Sequence, residues 1–185
     1  MSLPMSKEER YTYSDYLTWD DGVRYELIDG IPYAMASPST AHQRVSRELL
    51  KQFAVYLTGK TCEVFQAPYD VRLNYDDEDD TVVQPDLLIV CDKSKLGKNS
   101  CNGTPDMVIE ILSPSTTKYD TSGKLERYLE AGVRECWIVN LERKSVLVYT
   151  LRGDIYHLVC YSKAENISVH VLDGLEINMT DVFSS

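Results

Sequence analysis

Short apolar blocks separated by turn residues run through most of the chain, and only two stretches carry a clear helical stripe. Val45, Leu49, Phe53 and Tyr56, with Leu50 and Leu57 beside them, recur on one face. That spacing predicts a helix over 41–57, closed by Gly59. A second helix is predicted from about Lys118 to Ala131, with Leu125, Tyr128 and Leu129 toward the core and Gly132 as its stop. Ser37-Pro38-Ser39-Thr40 and Ser113-Pro114-Ser115-Thr116-Thr117 are cap-like segments ahead of these two helices. Thr12, with Asp15 three residues on, predicts a short capped helix that runs to Trp19.

The remaining blocks read as strands. Arg24 to Ile28 and Ile31 to Met35 form a hairpin around Asp29-Gly30. Cys62 to Gln66, Tyr69 to Leu73, Val82 to Cys91 and Asp106 to Leu112 follow, with 93–104 as a polar loop. Glu135 to Asn140 is a buried strand, and Lys144 to Leu151 pairs with Ile155 to Tyr161 around Arg152-Gly153-Asp154. Asp173-Gly174 marks a turn in a mixed tail. This order predicts an α/β domain, residues 1–185, whose mixed β-sheet is flanked by helices and extended by extra β-hairpins.

Two strands contain an acid that the pattern does not call for. Glu110 lies among Val108, Ile109, Ile111 and Leu112, in a block apolar on both faces. Asp86 follows Pro85 in the run Val82 to Val90, and the proline makes this strand irregular or starts it there. A buried carboxylate needs a partner, a proton or a cation. Glu110 is therefore either a functional acid or half of a salt bridge to an arginine such as Arg72. Asp86 is either a metal ligand near a strand end or an acid satisfied by backbone amides. Lys124 flanks the apolar stripe of the second helix, close enough to reach Glu110, or else pairs on the surface with Asp120. His42 opens the first long helix and reads as a packed, hydrogen-bonded histidine. Glu26 and Asp70 extend the acidic cluster or face outward. His157 and His170 read as structural.

Composition narrows the function classes. The chain has 185 residues and a net charge of -10, which counts against broad non-specific nucleic-acid binding. Much of the acid lies in Asp76-Asp77-Glu78-Asp79-Asp80, read as a solvated loop tip. Five cysteines without a CxxC pair argue against a disulfide framework or a zinc knuckle and fit a reducing cytoplasm. No apolar run has membrane-spanning length, and Met1 to Arg10 lacks the apolar core of a signal peptide. P-loop, GxGxxG, HExxH and GxSxG motifs are absent from the sequence.

Pro85-Asp86 followed by Glu110 in a second strand resembles the PD-(D/E)xK nuclease core. More specifically, the chain resembles the Uma-type restriction endonuclease family. The matching stretches include Tyr25 to Gly30, Ser37-Pro38-Ser39 with His42, Ala67 to Leu73, Gln84-Pro85-Asp86, Val108 to Thr116, Lys124 to Tyr128 and Gly132 to Val139. They extend over nearly the whole chain, from about Tyr11 to Phe183. The resemblance implies a restriction-endonuclease-like core with Asp86, Glu110 and the Ile111 carbonyl as ligands of Mg²⁺ or Mn²⁺. It implies DNA as the substrate. Leu112 stands where the superfamily has a lysine, and the resemblance transfers that role to Lys124. In the catalytic set, Glu26 would complete the metal shell, with His42 helping to position the site. A homodimer, which places two sites about a twofold axis, is the expected assembly. Two rival readings use the same fold: a non-cleaving interaction module, and a metal hydrolase acting on a non-nucleic substrate.

Overall fold

The computed structural model describes residues 9–75, 77–112 and 123–184. It opens on one turn of helix, α1 (Tyr13–Tyr16), held by the reciprocal Thr12–Asp15 capping box that the sequence predicts. The hairpin follows as β1 (Tyr25–Ile28) and β2 (Ile31–Ala34). Both turn residues sit at positive φ, Asp29 at 51° and Gly30 at 74°, which matches the turn to the twist of the paired strands. α2 (Thr40–Leu57) starts at Ser39, whose hydroxyl accepts from the His42 amide. Val45, Leu49 and Phe53 lie buried along its inner side, as their spacing requires.

The middle of the chain supplies β3 (Glu63–Gln66), β4 (Asp70–Arg72), β5 (Val82–Val83), β6 (Leu87–Val90), β7 (Ser100–Asn102) and β8 (Met107–Leu112). Then come α3 (Leu125–Glu130), β9 (Glu135–Asn140), β10 (Ser145–Arg152), β11 (Ile155–Ser162), β12 (Asn166–Ser168), β13 (Glu176–Asn178) and α4 (Met179–Ser184). Six strands form one sheet in the order β11-β10-β9-β8-β6-β3. Five form a second sheet in the order β2-β1-β5-β4-β7, and β12 pairs with β13. Both larger sheets are mixed: β8 runs parallel to β9, and β4 parallel to β7. The expected α/β class with mixed sheets, helices and extra hairpins is what the structure shows.

β8 is buried on both faces and divides the interior. Met107, Ile109 and Ile111 join the cluster under α2, with Phe53, Trp137 and the tail residues Ile167 and Ile177. Val108 and Leu112 join the other cluster, with Leu125 and Tyr128 of α3. Glu110 alternates with them and therefore faces the α3 side. Each large side chain fully buried in these clusters contributes roughly 1.5–3 kcal/mol.

Four expectations change. The run 82–91 is not one strand: β5 belongs to the five-stranded sheet and β6 to the six-stranded one, with Gln84-Pro85-Asp86 between them. Proline cannot donate to a ladder, and the chain changes sheets at that point. The polar loop 93–104 holds a 3₁₀ turn (Lys93–Lys95) and β7, because Ser100–Asn102 finds an open edge beside β4. The acidic run is not wholly a solvated tip: Asp79 pairs with Arg72, and Asp80, 7% exposed, accepts from Asn74 and Thr81. Cys62 and Cys91 form a disulfide. They are the next positions beyond the Glu63↔Val90 pair of β3 and β6, a proximity that cysteine counting cannot reveal.

Asp76, the segment 113–117 and the start of the second predicted helix lie outside the described residues; its later part is α3, and Gly132 follows it at φ 77°. Among the described residues, no helix is long and apolar enough to cross a membrane.

Candidate functional site

The β6–β8 register pairs Leu87 with Ile109. Asp86 and Glu110 are the next positions beyond that last pair, which brings the two acids close together. Asp86 Oδ2 accepts the Ile111 N–H at 2.7 Å and lies 3.1 Å from His42 Nε2. Of the two sequence readings of Asp86, the acid satisfied by a backbone amide is the one seen here. A backbone amide does satisfy it, yet it also lines a cavity of about 630 Å³ together with Glu110, Glu26, His42 and Lys124.

Glu110 is not paired with Arg72, whose partner is Asp79. Its Oε1 lies 2.7 Å from Lys124 Nζ and accepts the Tyr128 hydroxyl at 2.6 Å. Lys124 precedes α3 and is 2% exposed. The same Nζ lies 2.8 Å from Glu26 Oε1. Glu26 and Glu110 are each 3% exposed. One ammonium therefore joins an acid of the five-stranded sheet to an acid of the six-stranded sheet. Desolvation at this depth is tolerable because the charges are paired and hydrogen-bonded. Burial, and then the Glu110 and Glu26 charges, hold the Tyr128 phenol well above its ordinary value. The phenol is thus a fixed donor to Glu110.

Asp70 does not join the acids. Its Oδ2 accepts the Tyr13 hydroxyl at 3.0 Å, and its Oδ1 accepts from Gln84 Nε2 at 2.8 Å. Gln84 also donates its backbone N–H to Glu26 Oε1 at 2.7 Å. Sequence reasoning passed over Gln84 and treated Tyr128 only as core. Tyr128 was within reach, since a tyrosine on the apolar face of a helix must place its hydroxyl somewhere polar. His42 is buried, as a packed helix-start histidine should be, and it touches Asp86 as well. His157 and His170 are exposed, and neither lines the cavity.

Exposed Arg24, just before β1, forms part of the cavity wall. The pocket thus gathers three carboxylates, a buried lysine and an arginine at its edge. The chain belongs to the Uma2 family, described as "Putative restriction endonuclease", which it matches over residues 13–180. It is 30% identical over 160 residues to the "Uncharacterized protein slr1290" of Synechocystis sp., covering 83% of this chain and 77% of that one. Its fold is shared with a crystal structure from Anabaena variabilis titled as a putative nuclease belonging to DUF820. That likeness has a TM-score of 0.75 and 17% identity, and covers 94% of this chain and 97% of the other.

Restriction-endonuclease-like families generally use divalent metals. Among the described residues, no three His, Cys, Asp or Glu side chains converge as a ready cage. The cavity instead offers the carboxylates of Glu26, Asp86 and Glu110, two of them paired with Lys124, around open space. That donor set fits a hard cation that keeps several of its own waters, as Mg²⁺ does.

Proposed function

We propose that this chain is a divalent-metal-dependent endonuclease that hydrolyses phosphodiester bonds of DNA. The observation that carries the reading is that Asp86 and Glu110 line one cavity, with Lys124 buried there and paired with Glu110. Asp86, Glu110 and the Ile111 carbonyl would hold Mg²⁺ or Mn²⁺, which when bound supplies Lewis-acid polarisation of the phosphate and a more acidic water. Lys124 stabilises the negative charge that develops on the phosphate, in the place of the lysine that Leu112 replaces. Glu26 holds that ammonium in position from the opposite side. His42 fixes the carboxylate of Asp86, and Arg24 offers a phosphate contact at the rim. Cutting both strands of a duplex calls for two such sites, so the working form would be a homodimer.

The test is cleavage of plasmid DNA by purified protein with Mg²⁺, with Mn²⁺ and with a chelator. We expect cleavage that needs the metal and that is lost in Asp86→Asn and Glu110→Gln. Metal-independent cleavage, or unchanged activity in these variants, would sink the assignment. A folded protein that binds the metal but leaves DNA intact would favour the interaction module that the missing consensus lysine suggests, or a hydrolase acting on another substrate.

A further inference from the structure

Gln84 is 5% exposed and lines the cavity, yet its side-chain oxygen, Oε1, has no hydrogen-bond partner among the described residues. The orientation of the amide is fixed by its other end. Nε2 donates to Asp70 Oδ1, and a carboxylate accepts only from the NH₂ side. Asp70 is itself held by the Tyr13 hydroxyl, and the Gln84 backbone is tied to Glu26. The amide is thus oriented from its nitrogen end, and its buried oxygen is left without a donor. An unsatisfied buried acceptor is costly, and a fold that braces one this firmly is holding it for a donor.

Phosphate oxygens cannot be that donor, because they only accept. A water bound to a divalent cation can. Mg²⁺ gives up its waters reluctantly, and each bound water is a strong donor to nearby oxygens. Asp86, the expected ligand, is two residues along the same strand break. Resting on the nuclease reading above, we propose that Gln84 is a positioning residue whose Oε1 accepts from a water of the hydrated metal ion. Asp70 and Tyr13 form the brace that aims it. The metal site would then extend beyond its direct ligands to a side chain that never touches the cation.

Calorimetric titration of the full chain with Mg²⁺ tests this, alongside urea unfolding in a chelator. Wild type should bind the ion, and Asp86→Asn should lose binding. Gln84→Met should bind about tenfold more weakly, the scale of losing an outer-shell partner. Asp70→Asn, which loosens the brace, should also weaken binding. Gln84→Met also loses the Nε2 donor to Asp70 and should unfold at lower urea in the chelator, so its Mg²⁺ affinity is read on the fully folded protein without urea. If Gln84→Met does not fold, Gln84→Asn, which withdraws the oxygen by one methylene, replaces it in the comparison. Wild-type Mg²⁺ affinity in the folded Gln84 variant, with loss in Asp86→Asn, overturns this inference alone. A wild-type protein that does not bind, or an Asp86→Asn variant that binds normally, overturns the nuclease reading and this inference with it.

Discussion

Glu26 and Glu110 share one ammonium, at 2.8 and 2.7 Å from Lys124 Nζ. They come from different sheets, so this contact is both an electrostatic balance and a seam. Two carboxylates this deeply buried would repel each other and lack solvent if the lysine were removed.

Lys124→Met should therefore act on stability as well as on chemistry. Breaking a buried pair by removing one partner costs about 3–5 kcal/mol. Urea unfolding monitored by Trp fluorescence measures the loss. A change below about 1 kcal/mol, the value of an exposed pair, would contradict the buried network.

Tyr128→Phe removes the hydroxyl that donates to Glu110 at 2.6 Å and leaves the ring packing intact. A hydrogen bond to a charged acceptor contributes about 1.5–3 kcal/mol. We expect a loss of that size in the urea midpoint, and weaker Mg²⁺ binding because Glu110 is no longer held by its phenol. A variant with wild-type stability would show that Glu110 has another donor ready.

Glu135 offers a pH test away from the cavity. It is fully buried on β9, where burial raises its carboxyl above the ordinary value against hydrogen bonds from Trp137 Nε1 and the Val171 amide. The folded state binds this proton more tightly than the unfolded chain. Its stabilising effect is complete below the ordinary value of 4.5 and is lost as pH rises through the raised folded value. Glu135→Gln should flatten the fall of stability across that window. Urea midpoints taken from about pH 4 to about pH 8 give the slope, and an unaltered slope refutes the shift.

Gly30→Ala should destabilise the β1–β2 hairpin. Its φ of 74° is costly for any residue with a Cβ, and that Cβ would meet Arg10 Cβ at 2.7 Å and the Tyr11 backbone nitrogen at 3.0 Å. Forcing a non-glycine residue into this region costs about 1–3 kcal/mol. Thermal unfolding of the variant checks it, with Gly153→Ala as the comparison, since a Cβ there meets nothing within 4 Å.

Local pattern carried much of the architecture. The α2 stripe, the Thr12 capping box and the strand 135–140 appear where spacing and capping place them, because each is decided within one or two turns of chain. The family resemblance gathered Asp86, Glu110, Lys124 and Glu26, and the structure sets all four around one cavity. Pairing across the chain is where local reading ended. It could not tell that Val82 and Leu87 enter different sheets, that Cys62 meets Cys91, or that Arg72 prefers Asp79 to Glu110. Gln84 escaped notice because nothing in its neighbours betrays a buried amide; its meaning comes from Asp70, which reaches it from another strand.

The break at Gln84-Pro85-Asp86 has a consequence for the life of the chain. Glu26 arrives on the five-stranded sheet, Glu110 on the six-stranded one, Asp86 at the break between them, and Lys124 on the helix entry that follows. Asp86 and Glu110 can meet within the six-stranded sheet, but Glu26 reaches Lys124 only when both sheets have closed on each other. A partly folded chain therefore carries an incomplete centre, in which the buried ammonium has lost one of its two acids.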